Sequence, residues 1–197
     1  MAVALSPPVD RRADTSLPAH MVQHVVLTMV AAPLLAAAAR RPGWFHPVAA
    51  WILFAATGWV VHFTSFFEAA AEHVPVHVAE HALLLGTGVL FWAVVVGPGT
   101  TLSHPLRLLY LAVAMPQNTF LALAISMAGT VLYPHYAGGG DPLGEQRLAG
   151  GIMWMAGDLL LLGAVLVMAA AWARHEEQQN ALSEQSADRL PSPRTAE

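Results

Sequence analysis

Apolar residues run along this chain in blocks of about twenty, the length a helix needs to cross the hydrocarbon core of a bilayer. The blocks span 21–39, 47–67, 77–97, 106–128 and 148–173. Their hydrophobicity is continuous and does not alternate, so the pattern predicts an all-α, polytopic transmembrane bundle of about five spans. Pro33 in the first block and Pro116, followed by Gln117 and Asn118, in the fourth predict kinks whose freed carbonyls neighbouring helices must satisfy. Residues 1–16 form a polar segment with Pro7, Pro8, Asp10, Arg11, Arg12 and Asp14, too polar for the apolar core of a signal peptide. Targeting therefore falls to the first span. The transmembrane domain covers 17–173, and residues 174–197, rich in Ser, Glu, Gln and Pro, read as a disordered tail.

Composition agrees with the pattern. At 56% hydrophobic and 11% charged residues, the 197-residue chain is too apolar for a soluble domain of that size. No basic run points to nucleic acid. There is no lysine, so orientation rests on arginine. Arg11, Arg12 and Arg147 lie on one side, Arg40, Arg41, Arg107 and Arg174 on the other. That bias predicts an extracytoplasmic N-terminus and a cytoplasmic C-terminus. It also places the polar constellations on the extracytoplasmic side. The absence of cysteine removes disulfides, thiolate metal sites and dithiol redox chemistry.

The polar residues at the block ends carry the candidate chemistry, because ionisable groups in or beside membrane spans are costly and call for a role. His20 and His24 open the first span, His77 and His81 the third, each pair four residues apart and so on one helix face. His62 stands five residues before Phe67, roughly 8 Å from the end of the second span at ~1.5 Å per residue, a depth comparable with His81. Each histidine alone fits an interfacial hydrogen bond, whereas the set fits a shared metal site. His73 and His135 are further imidazoles nearby, with Glu68, Glu72 and Glu80 between them. Met21, Met115, Met127, Met153 and Met155 offer thioethers, and imidazole with thioether suits copper, Cu(I) above all. A membrane methionine is, taken singly, usually packing. Asp158 falls near mid-membrane and needs a partner, a histidine of the cluster or Gln117 and Asn118; with Glu80 it is a candidate for orienting the ligands. His77, Glu80 and His81 also spell HxxEH, a zinc-peptidase arrangement with the glutamate as general base. In the YPHY loop, Tyr133 and Tyr136 fit an interfacial aromatic belt, and His135 is placed to cap the cluster.

AHMVQH at 19–24, HFTSFFEAA at 62–70, HVAEHALLL at 77–85, FW at 91–92, AMPQNTF at 114–120, LYPHY at 132–136 and QRLAGGIMW at 146–154 occur in the order found in one family. The chain resembles the CtaG family of membrane cytochrome c oxidase assembly factors. The resemblance implies a helical protein of the bacterial plasma membrane that serves maturation of the copper-containing respiratory oxidase, its partners the oxidase subunits and the lipid bilayer. Copper delivery or insertion is the implied task. The histidines it carries over are His20, His24, His62, His77 and His81. Family members have further spans before the AHMVQH helix, so the chain reads as N-terminally shortened. The leading expectation is a metallochaperone and not an enzyme, with copper affinity that falls in acid because imidazole binds metal in its neutral form. The alternatives are a haem-binding membrane cytochrome, an HxxEH zinc hydrolase, and a scaffold without metal.

Overall fold

A computed structural model describes residues 13, 15–39, 46–100, 102–138 and 140–188, and all regular structure among them is helical. Most of the polar segment 1–16, the arginines at 11, 12, 40 and 41, and residues 189–197 lie outside the described residues. In chain order the helices are α1 (Leu17–Val25), a π-helical turn (Val26–Ala31), α2 (Ala32–Ala38), α3 (Pro47–Phe63), α4 (Ser65–Glu72), α5 (Val74–Val96), α6 (His104–Ser126) and α7 (Pro142–Asp188). Four stretches are long and apolar enough to cross a membrane: Leu17–Ala38, Val74–Val96, His104–Ser126 and Pro142–Ser186. The bent pair α3 and α4 meets the same criterion only when the two helices are taken together.

The first span keeps its direction through Pro33 by widening into the π turn. The Ala32 N–H bonds Leu27 O, five residues back. Pro33, the residue five on from Thr28, has no N–H to give, and the Thr28 carbonyl takes the Trp92 indole N–H from α5 at 2.8 Å instead. Gly88 lets α5 come this close: a Cβ there would lie 3.0 Å from Ala32 Cβ. The expected rescue of a proline-freed carbonyl by a neighbouring helix is thus met by one identifiable bond.

The second span departs from the predicted 47–67 helix, because α3 stops at Phe63 and the chain turns 69° into α4. Thr64 causes the break. Its backbone is extended, its hydroxyl donates to Val60 O at 2.7 Å at the end of α3, and the same oxygen accepts the Phe66 N–H at 3.2 Å to cap α4. His73, also extended, separates α4 from α5, which begins with Pro75 in its first turn.

The sequence reading of a disordered tail from 174 is corrected as far as Asp188, where α7 ends after 47 residues, roughly 70 Å at 1.5 Å per residue. Ala, Glu, Gln and Leu are good helix formers, and extension of an existing helix avoids the cost of nucleation. Residues 174–186 are all exposed, and a ring contact between His175 and His104 of α6, centroids 5.2 Å apart, ties the start of this extension to the bundle. Within the bundle, α6 and α7 meet through small residues: a Cβ on Gly150 would strike Ser126 Oγ, and one on Gly157 would lie 2.7 Å from Asn118 Nδ2.

Candidate metal centre

The broken second span and the two helix starts converge at one end of the bundle. There α1 contributes His20 and His24, α3 contributes His62, and α5 contributes His77, Glu80 and His81. His20, His24, His62, Glu80 and His81 are all buried, Glu80 completely. One ligand atom each from His20, His77, Glu80 and His81 lies within 4.8 Å of the others, a group able to hold one metal ion. Inside the cluster, His20 Nε2 and His24 Nε2 are 2.9 Å apart, and His77 Nε2 and His81 Nε2 are 3.0 Å apart.

Hydrogen bonding sets which nitrogens carry protons. The Gly58 carbonyl, 2.7 Å from His62 Nδ1, can only accept, so His62 donates there and in its neutral form presents a lone pair at Nε2. His24 Nδ1, 3.3 Å from that atom, is then the donor, and His24 Nε2 is left with a lone pair facing His20 Nε2. Without a metal, His20 Nε2–H fills that contact and the Tyr136 hydroxyl, at 3.0 Å, donates to His20 Nδ1. With the protons of His20 exchanged, Nδ1–H donates to the Tyr136 oxygen and Nε2 becomes a ligand, the usual arrangement of a metal-bound histidine.

Glu80 sits between the rings. Its Oε2 is 3.3 Å from His20 Nε2 and its Oε1 3.7 Å from His24 Nε2, yet neither oxygen has a partner with hydrogen-bond geometry. A fully buried carboxylate in this state is costly unless it is protonated or has a positive charge beside it. The donor set of three imidazoles and one carboxylate therefore fits a metal ion. Phe67 packs against the cluster, its ring centroid 5.0 Å from that of His20 and 4.4 Å from that of Tyr133.

The YPHY loop closes the outer end. Gln146 of α7 pins it, donating to Ile125 O and Thr130 O and accepting the Leu132 N–H at 2.7 Å. Tyr133 donates to His62 O at 3.3 Å, and the His135 N–H bonds Glu68 Oε1 at 2.6 Å. The two tyrosines are buried over the cluster instead of forming a belt at the headgroups, and Tyr136, not His135, meets His20. Burial and the nearby Glu80 charge push the Tyr133 phenol above its ordinary range.

The remaining sequence candidates are dispersed. His73 is exposed in the α4–α5 turn, and the exposed His135 is outside the metal group. Met115 packs against the bundle core, while Met127 and Met155 are exposed. Met21 is fully buried in the core. Asp158 bonds no histidine: Asn118 Nδ2 donates to it at 2.9 Å and Thr119 Oγ1 at 2.6 Å. Met153 is buried and lines a small cavity with His24 and His62. Sequence reasoning missed Tyr136, Phe67 and Gln146. The buried aromatic and the glutamine were not signalled by spacing, although Tyr136 lies in a singled-out loop.

Comparison with known proteins gives one family. The model of the cytochrome c oxidase caa3 assembly factor family (Caa3_CtaG) matches residues 1–44 and 42–175. Uncharacterized proteins of Mycobacterium bovis and Mycobacterium tuberculosis are each 29% identical over 153 residues, covering 73% of this chain and 23% of the relative. One of Mycobacterium leprae is 28% identical over 158 residues with the same coverage. The chain thus spans about a quarter of the length of these relatives. No solved structure matches it.

Proposed function

The chain belongs to the family of cytochrome c oxidase caa3 assembly factors, and from that premise we propose that its part in oxidase assembly is to hold copper, as Cu(I), in the buried histidine–glutamate cluster and release it toward the oxidase. The observation that carries this reading is the convergence of His20, His77, Glu80 and His81 within 4.8 Å, all buried except the half-buried His77. Two nitrogens that share one ion at ~2.0 Å each lie ~3 Å apart at the angles of a four-coordinate site. The His77–His81 Nε2 pair at 3.0 Å matches that spacing.

Charge favours a monovalent ion. With the imidazoles neutral, Glu80 is the single formal charge of the group, and Cu(I) brings the buried site to neutrality, which low dielectric rewards. The residues divide the work. His20, His77 and His81 present nitrogens, Glu80 supplies the counter-charge, Tyr136 orients His20, and the Gly58–His62–His24 chain fixes the face that His24 presents. Phe67 and the YPHY loop keep water out. In the plasma membrane of a bacterium, oriented as its arginines predict, the chain holds this site on the extracytoplasmic side.

The other chemistries are less well served. Glu80 is packed between His20 and His24, whereas a general base must face an open water position. The rings of the cluster pack at centroid distances of 4.2–5.9 Å from one another, which leaves no slot for a macrocycle between two axial ligands. The test is in cells that lack the chain: wild type restores the copper content and absorption spectrum of the membrane oxidase, and H77A/H81A, at equal membrane abundance, does not. Full restoration by the double variant would refute the proposal.

A further inference from the structure

Beneath the cluster, on the side away from the YPHY loop, lies a cavity of about 40 Å³ that the proposed copper site does not use. His24, His62, Met29, Met153, Gln117 and Asn118 line it, with apolar residues completing the wall. Well-packed interiors close gaps of this size. The volume exceeds the ~10–15 Å³ that one water needs, and its walls carry two thioethers and two imidazoles among buried residues. Met29 is 8% and Met153 6% exposed.

The placement of Met29 is a consequence of the π turn. In an α-helix the residue one turn below His24 is Thr28; with hydrogen bonds spanning five residues, Met29 comes beneath His24 as well, and His24, Thr28 and Met29 all line the cavity. Met153 arrives from α7, its carbonyl held by Asn118 Nδ2 at 3.3 Å. His24 Nδ1 and His62 Nε2, 3.3 Å apart at the roof, are spaced as two nitrogens of one four-coordinate ion are, at ~3 Å. An ion there replaces the proton they share, and His24 then carries its proton on Nε2, toward Glu80.

We propose that this cavity is a second metal site, for one soft monovalent ion of the Cu(I) or Ag(I) class, bound by the thioethers of Met29 and Met153 together with the His24–His62 pair. Thioether with imidazole selects soft ions over zinc, magnesium or calcium. His24 borders both sites, with Nδ1 at the cavity and Nε2 toward His20 and Glu80, so it lies between the cluster and the cavity. This inference rests on the reading of the cluster as a copper site, and the following measurement separates the two.

The full chain in detergent is loaded with Cu(I) under reducing conditions, counted by elemental analysis after competition with a chelator, and examined by X-ray absorption at the copper edge. The chain has no cysteine, so any sulfur bound to copper must be methionine. Wild type is expected to hold two equivalents with a sulfur shell. M29L/M153L, close to conservative in volume, is expected to hold one equivalent without sulfur. H77A/H81A is expected to hold one equivalent that keeps the sulfur shell. A single equivalent in wild type, lost in H77A/H81A and indifferent to M29L/M153L, would overturn the second site and leave the cluster standing. Two equivalents with no sulfur shell would also overturn it, and no bound copper would overturn both.

Discussion

Replacing Glu80 with glutamine removes one charge from the cluster while preserving shape, and the size of its effect follows from the geometry. Glu80 is fully buried, its oxygens are 3.3 and 3.7 Å from His20 Nε2 and His24 Nε2, and one of them lies within 4.8 Å of the ligand nitrogens of His77 and His81. An ion in that group sits within ~4 Å of the carboxylate, where two unit charges at an effective dielectric constant of ~20 attract by about 4 kcal/mol. The glutamine oxygen keeps a dipole toward the ion and recovers part of this. The expected loss is about 2–4 kcal/mol, roughly a 30- to 1,000-fold rise in the Cu(I) dissociation constant. Competition titration of Cu(I) against a coloured chelator measures it directly, with thermal unfolding as a control that E80Q folds. A rise of less than threefold in a folded protein would refute the reasoning: Glu80 would not face the ion, and the cluster would be a hydrogen-bonded network.

Three further outcomes follow. Gly157→Ala places a Cβ 2.7 Å from Asn118 Nδ2 and displaces the side chain that bonds Met153 O and Asp158, at a cost of about 2–4 kcal/mol; its thermal midpoint in detergent should fall, while Gly151→Ala, with nothing within 4 Å, should not lower it. Tyr136→Phe deletes the 3.0 Å bond to His20 Nδ1 and should weaken Cu(I) binding about fivefold, the worth of ~1 kcal/mol, with an unchanged absorption edge. Tyr133 keeps its proton in the fold above pH ~10, where an ordinary phenol ionises, because burial and the Glu80 charge raise it. The folded state there binds more protons than the unfolded one, so stability is complete below pH ~10 and declines as pH rises further. Tyr133→Phe should flatten that decline in melts between pH 9 and 11.5, and identical slopes would contradict the assignment.

Much of the bundle was legible because hydropathy at membrane length is a strong signal, and the described helices start within six residues of the apolar blocks. What escaped was local. The break at Thr64 depends on one hydroxyl that ends α3 and caps α4 at once, and the apolar run through Phe66 and Phe67 hides it. Pro33 announced a disturbance in the first span but not its form, since the π turn depends on Trp92 reaching the freed Thr28 carbonyl from another helix. Polar composition after Arg174 masked good helix formers that continue α7. In the candidate site, the four-residue spacing of His20/His24 and His77/His81 correctly put each pair on one face. Which pairs share space was set by tertiary packing. That packing brings His77 and Glu80 to His20 and leaves His73 and His135 aside. Asp158 follows the same rule: its charge demanded a partner, and the fold supplied Asn118 and Thr119.

The measurement that bears most directly on the central claim is the metal content of the detergent-purified full chain, loaded with Cu(I) under reducing conditions, for wild type against H77A/H81A. The expected result is near-stoichiometric copper at the cluster in wild type and loss of that equivalent in a folded double variant. Equal copper in both proteins, or none in wild type, would contradict the assignment of the histidine–glutamate cluster as a copper site.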